Sequence, residues 1–295
     1  MRSYAYETVD VFTEQRFGGN QLAVFTDARG MSDTEMQSLA AEMNYSETTF
    51  VLPPSDPSNT ARVRIFTRTS EMPFAGHPNV GTGFVLAQHG RDVGGVLRFE
   101  EISGLVEVAV SRDASGKVNA ATILAPQPLQ TGLELAAEDI AACAGLKPDD
   151  IVVNNHRPVR ASVGVYFVLV EVRAEALAQA TPDLGQFRTV LAANPGLEGR
   201  FSLFVYVREG SSIRARMFAP IGGTWEDPAT GSASATLAAL LLELDGAEEA
   251  SFTLMQGVEM GRPSQLQLRA WRAADGIRAS VGGNCVPVFR GEALL

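Results

Sequence analysis

Three ionisable residues, Glu47, His77 and Asp227, are placed where acid/base chemistry could use them. Each stands beside a predicted strand end or helix start. Glu47 leads into the apolar run Thr48 to Leu52. His77 lies in Phe74-Ala75-Gly76-His77-Pro78, and Asp227 opens Asp227-Pro228-Ala229-Thr230-Gly231-Ser232. A carboxylate and an imidazole that face one substrate supply an acceptor and a donor, and desolvation can move such groups towards neutrality. Each residue also has a purely structural use, Glu47 as a solvated strand lead-in, His77 as a hydrogen-bonder at a helix start, Asp227 as a turn residue before proline.

The elements that must position them begin with Glu71 to His89, which reads as a turn followed by a helix. Pro78 suits the first helical position, where its missing N–H costs nothing. Gly76 allows close approach of a ligand or backbone. His77 is therefore at or beside a helix N-terminus, where free N–H groups and the macrodipole favour an anion. A second copy follows later. Arg62-Val63-Arg64-Ile65-Phe66 precedes the first loop and Arg214-Ala215-Arg216-Met217-Phe218 the second, each ending in a glycine, a polar residue and an apolar run. Gly76 aligns with Gly231 and His77 with Ser232. A repeat of this size implies two related domains with equivalent helix starts.

Composition narrows the function. The chain has 295 residues, 45% hydrophobic and 20% charged, with a net charge of −10. An extended basic surface for nucleic acid is not expected. No apolar run has membrane-span length, and the N-terminus lacks an apolar signal core. Cys143 and Cys285 have no metal-type spacing and read as reduced thiols of a cytoplasmic protein. His77, His89 and His156 are scattered, so no metal site is expected. No phosphate-binding or dinucleotide glycine motif and no G-x-S-x-G elbow is present, which removes nucleotide and acyl-transfer readings. No cofactor is expected.

In order, Tyr4 to Phe12 and Gln21 to Phe25 read as strands around the turn Phe17-Gly18-Gly19-Asn20. Ser32-Asp33-Thr34-Glu35 is a capping-box pattern for a helix that Asn44 stops. Thr48 to Leu52 is a strand, Arg62 to Thr67 an edge or half-exposed one. Val96 to Phe99, Leu105 to Val110 and Lys117 to Leu124 read as antiparallel strands with a turn at Ala114-Ser115-Gly116. Ala125 to Thr131 reads as a linker. Helices are predicted over Leu135 to Ala144, Ala174 to Ala180 and Leu184 to Ala193. Strands are predicted over Val163 to Val172, with Tyr166-Phe167 in the core, and over Phe201 to Val207, Ile213 to Phe218, Ser251 to Gln256, Leu266 to Trp271, Ile277 to Val281 and Val286 to Phe289.

These residues together resemble the phenazine-biosynthesis PhzF-like isomerase family, which shares the diaminopimelate epimerase fold. The resemblance rests on Phe17-Gly18-Gly19-Asn20, Tyr45-Ser46-Glu47-Thr48-Thr49-Phe50, Phe74-Ala75-Gly76-His77-Pro78, Glu226 to Ala233 and Gln256 to Ser264, and runs nearly the whole chain. It implies an α/β (α+β) protein of two pseudo-symmetric domains, each a curved, mostly antiparallel sheet or barrel around a central helix. The domains would be 1–124, completed by 285–295, and 131–284, with the active site in the cleft between them. It also implies a cofactor-free isomerase and a homodimer. Glu47 matches the general acid/base, His77 and Asp227 assisting polar residues, and Gly76, Gly231 and Ser232 substrate-binding positions. Two departures stand out. Asn20 is followed by Gln21 where the family has proline. The cysteines of related epimerases correspond to Ala75 and Thr230, so a two-thiol mechanism lacks its bases.

The expected activity is a proton shift within a small carboxylated metabolite, with Glu47 moving the proton. An epimerase with non-thiol bases and a binding protein without turnover are the rivals.

Overall fold

The computed structural model describes Met1 to Leu295. The first repeat consists of β1 (Ser3–Val11), β2 (Asn20–Phe25), α1 (Asp33–Met43), β3 (Glu47–Leu52), β4 (Ala61–Thr67), β5 (Glu71–Met72), α2 (Gly76–Gln88), β6 (Val96–Glu101), β7 (Gly104–Arg112) and β8 (Val118–Leu124). Four elements then intervene, β9 (Gln130–Glu134), α3 (Ala137–Ala144), a 3-10 turn (Pro148–Asp150) and β10 (Ile151–Val152). The second repeat has the same order of strands, with one α-helix and two short 3-10 helices more. It comprises β11 (Val159–Ser162), β12 (Tyr166–Val172), α4 (Ala174–Leu177), α5 (Leu184–Ala193), β13 (Leu203–Glu209), β14 (Ser212–Ala219), β15 (Thr224–Asp227), α6 (Gly231–Asp245), β16 (Glu249–Gln256), β17 (Ser264–Ala273) and β18 (Gly276–Leu294). Contacts divide the chain into two units, Met1–Leu124 with Val281–Leu295, and Ala125–Ser280.

Pairing registers repeat as well. In the first unit β2 runs parallel to β3 across α1, and β4 parallel to β6 across α2. Parallel neighbours require such crossovers. The pairs β1–β2, β3–β4, β4–β5, β6–β7 and β7–β8 are antiparallel. The last strand pairs with β1 and with β8, which closes the barrel. In the second unit β12 runs parallel to β13 and β14 parallel to β16, with antiparallel β11–β12, β13–β14 and β16–β17 between them.

Helices α2 and α6 are the barrel cores. Every residue of α2 from Gly76 to Ala87 is buried, and α6 is buried almost throughout from Gly231 to Leu242. An apolar stripe would leave one face of a helix outside, whereas these are apolar or small on nearly every side, His77 and Asn79 at the start of α2 being the polar exceptions. Small residues let the wall close. A Cβ on Gly81 would lie 2.6 Å from Leu22 Cδ2 and 2.8 Å from Val11 Cγ2. By contrast α1 buries only Met36 and Ala40, against a cluster that includes Phe50 and Phe66. Its Ser32–Glu35 capping box forms, and Asn44 ends it in the left-handed conformation.

Several elements differ from the sequence reading. Gly76, not Pro78, opens α2; Pro78 still falls in the first turn, where no helical acceptor waits for its nitrogen. Strand β4 is half-exposed but lies between β3 and β6, not at an edge. The strand expected from Val163 begins at Tyr166, because the preceding residues turn: Gly164 has φ +150° and its N–H donates to Ser162 Oγ. Phe167 is buried, while Tyr166 is half-buried with the Arg160 guanidinium 3.6 Å from its ring centroid. The helix from Ala174 stops at Leu177, and α3 starts at Ala137. The segment expected as a linker is bonded into its own unit, with Ala125, Gln127 and Leu129 donating to Ala279, Val163 and Ile277. The two short final strands are one continuous β18. Gly282 reads as a break but serves close approach, since a Cβ there would meet Thr122 Oγ1 at 2.1 Å. Pro287 is accommodated by a register shift between Thr8 and Val9.

Candidate active site

Glu47 is the first residue of β3, paired with Leu22 on one side and Thr67 on the other. Its side chain is only 18% exposed. Burial pushes its carboxyl above the ordinary range, opposed by the neighbouring Ser46 hydroxyl and the positive charge of Arg68. A carboxyl raised in this way is better placed both to take and to return a proton.

His77 is the second residue of α2 and is almost wholly buried. Its Nδ1 lies 3.3 Å from Asn20 Nδ2, and the Ser46 hydroxyl donates to Asn20 Oδ1 at 3.1 Å. The amide of Asn20 is thereby oriented, with its NH2 towards the imidazole. In that orientation the amide nitrogen donates to Nδ1, so a neutral ring carries its proton on Nε2. That Nε2 stands 3.6 Å from Glu47 Oε2. The distance exceeds a hydrogen bond but places donor and carboxylate side by side. Glu47 and His77 are thus brought together, with Gly76 the first residue of the same helix.

In the second unit Asp227 ends β15 and is buried. Thr230 Oγ1 donates to its Oδ2 at 2.6 Å, and Gln256 Nε2 donates to its carbonyl at 2.7 Å. Gln256 Oε1 accepts from the Thr230 N–H at 3.1 Å. Gly231 and Ser232 are the first two residues of α6, directly after Thr230. Neither Ala75 nor Thr230 caps its helix through a side chain. Gly257 takes φ +73°, and a Cβ there would meet the carbonyls of Arg262 and Pro228 at 2.5 and 2.6 Å.

The repeated Arg-x-Arg strands brace both loops in the same way. Arg64 grips Glu71 through Nε and Nη2, both at 2.7 Å, and Arg216 grips Glu226 at 2.8 and 2.9 Å. Bidentate pairs of this kind fix geometry as well as charge. Within the helices, Asn79 Nδ2 donates to the Ala75 carbonyl at 3.0 Å and Ser234 Oγ to that of Thr230 at 2.9 Å. Sequence reading missed Asn20, Thr230 and Gln256 as positioning groups. Asn20 and Gln256 stood inside quoted motifs, but no spacing rule shows that an amide turns towards an imidazole or a loop. Cys143 and Cys285 are buried, each thiol pushed up to about 12 by desolvation.

Two barrels, each wound round a helix whose start carries polar groups, define the class: a diaminopimelate epimerase-like α/β isomerase fold. The family described as phenazine biosynthesis-like protein (PhzC-PhzF) matches residues 9–291. An uncharacterized isomerase of Mesorhizobium japonicum is 39% identical, with 99% of each chain covered. A trans-2,3-dihydro-3-hydroxyanthranilate isomerase of Pseudomonas aeruginosa is 36% identical over 99% of this chain and 100% of its own. The crystal structure of a Bacillus anthracis phenazine biosynthesis protein of the PhzF family superimposes with a TM-score of 0.87 at 25% identity, covering 100% of both chains. The chain belongs to the PhzF-like family and is an isomerase. No helix is long and apolar enough to cross a membrane.

Proposed function

We propose that this isomerase moves a proton between two carbons of a small carboxylated substrate, using its own side chains and no cofactor. The Glu47 carboxylate takes a proton from one carbon, the electron pair left behind shifts the double bond, and the Glu47 carboxylic acid returns a proton to another carbon. No oxidant or reductant enters. His77 Nε2–H donates a hydrogen bond to charge that develops on the substrate. Asp227 and Ser232, with the Gly76 and Gly231 helix starts, orient it and bind its carboxylate. General acid/base help of this kind contributes about a hundred- to ten-thousand-fold.

One observation carries this reading: a buried carboxyl, raised by desolvation, beside an imidazole whose donor is turned towards it. The relative named for trans-2,3-dihydro-3-hydroxyanthranilate makes that compound the first substrate to try. A cytoplasmic homodimer fits the free thiols and the family.

The test is a metabolite screen in deuterium oxide, starting with that compound and scored for a new isomer and for mass gain without change of formula. Glu47→Gln keeps size and cannot carry the proton, so folding and binding should persist while turnover falls by about a hundredfold or more. Wild-type turnover in Glu47→Gln would remove Glu47 from the mechanism. Loss of optical activity without a new constitutional isomer would favour an epimerase instead.

A further inference from the structure

Strand β6 ends on Glu101 and β16 on Gln256, and the registers make these residues equivalent. Arg62 faces Glu100 across the parallel β4–β6 pair, and its repeat counterpart Arg214 faces Met255 across β14–β16. One residue further on stand Glu101 and Gln256. In the second unit Gln256 ties down the start of α6 through Asp227 and Thr230.

At the start of α2 the corresponding network lacks one hydrogen. Asn79 is fully buried and spends an N–H on the Ala75 carbonyl. Its Oδ1 has no donor, and both Glu101 carboxyl oxygens are buried without a partner. The Asn79 amide is the polar group that acts on Glu101. Buried acceptors without a donor are costly, and a proton on one of them would supply the donor that these neighbours lack. The adjoining turn is also tied to the helix approach, since Ser103 N–H donates to the Pro73 carbonyl at 3.1 Å.

The charged neighbours are otherwise engaged. Glu101 shares a cavity of about 300 Å3 with Arg62, Arg64, Glu71 and Glu100. Arg64 is taken by Glu71 and Asp33, and Glu100 by Ser55, Asp56 and Asn59, while Arg62 is exposed. On β7, Glu107 pairs with Arg98 and Arg112 with Asp92. On α2, His77 bonds Asn20.

We propose that Glu101 is a positioning residue for the site's helix start: as a neutral acid it donates its O–H to Asn79 Oδ1, and Asn79 holds the Ala75 carbonyl that precedes Gly76 and His77. It does as a carboxylic acid what Gln256 does as an amide. Burial raises this carboxyl to about 8, so the network is complete at neutral pH and loses its proton in alkali. The inference rests on the reading of Gly76 and His77 as site residues.

Hydrogen–deuterium exchange of the substrate-free protein tests it, followed for the amides of residues 75 to 80 from about pH 6.5 to 9.5 and corrected for intrinsic base catalysis. Wild type should show a rise of about tenfold or more centred near pH 8; Glu101→Gln should show none, and Glu101→Ala should exchange fast throughout. Wild type without the step, or the same step in Glu101→Gln, overturns the proposal. Should Glu101→Gln fail to fold, carboxyl 13C NMR decides. A glutamate signal titrating near 8 that survives Glu47→Gln supports the proposal, and its absence overturns it. Neither readout uses substrate, so failure here leaves the proton-transfer reading standing, whereas wild-type turnover in Glu47→Gln removes that reading and leaves the exchange result untouched.

Discussion

His77 Nε2 stands 3.6 Å from Glu47 Oε2 while Nδ1 of the same ring is held by Asn20. The ring's orientation and tautomer are therefore set by an amide, and the donor on the far nitrogen is delivered to the carboxyl. Asn20 opens β2 opposite Val11, directly after Gly19 at φ +64°, where a Cβ would meet the Val11 carbonyl at 2.4 Å. The tight turn is what brings the amide within reach.

Asn20→Asp should reverse that tautomer. A carboxylate only accepts, so Nδ1 would take the proton and Nε2 would lose its donor or the ring would become cationic. Turnover should fall by about ten- to a hundredfold with the fold intact. The 15N shifts of His77 report the proton's position directly. An unchanged ring with unchanged kcat would show that Asn20 is not a positioning group.

Ser46→Ala should move the acidic limb of kcat/KM. Glu47 must be ionised to take the first proton, so activity falls as pH drops through its pKa. Burial raises that pKa and the Ser46 hydroxyl lowers it. Without the hydroxyl the pKa rises further, and the limb shifts to higher pH. A limb that stays in place would mean that the hydroxyl proton serves Asn20 and not Glu47, and a limb that moves down would contradict the assignment of Glu47 as the base.

The sequence carried the repeat, both helix starts and the pairing of Glu47 with His77 as candidates, because glycine, proline and the Arg-x-Arg strands are local signals. Ala75 and Thr230, aligned with each other through the glycines that follow, do occupy equivalent positions, each the residue before a core helix. What stayed hidden depends on side-chain direction across strands. The Arg64–Glu71 and Arg216–Glu226 braces join residues of paired strands, and Gln256 reaches a loop 26 to 29 residues before it. The single strand β18 was read as two because its glycines and Pro287 mimic breaks, while tertiary pairing with β1 carries it through.

Gly81→Ala should destabilise the first unit. Its Cβ would intrude on the side-chain ends of Leu22 and Val11, which are themselves fully buried and must shift to make room. Overpacking of a tight core costs roughly 1–3 kcal/mol. Chemical denaturation should show that loss, although alanine is the better helix former. Equal or higher stability would mean that the wall yields.

Stability should depend on pH through Glu101. The Glu101 carboxyl is raised from 4.5 to about 8 by burial. As pH rises the unfolded chain gives up this proton first, and between those two values the folded state binds more protons. Unfolding free energy therefore falls with rising pH across that window and levels off above it. Glutamine neither ionises nor contributes this slope. Glu101→Gln should match wild type most closely in acid, near the ordinary glutamate range, and gain stability over it progressively up to about pH 8. The gain should reach on the order of a few kcal/mol, since each pKa unit corresponds to about 1.4 kcal/mol. Urea titrations of both proteins at several pH values measure the divergence. Parallel curves would mean that Glu101 ionises in the folded protein as readily as in the unfolded chain, and its enclosure beside Asn79 would then have no consequence for stability.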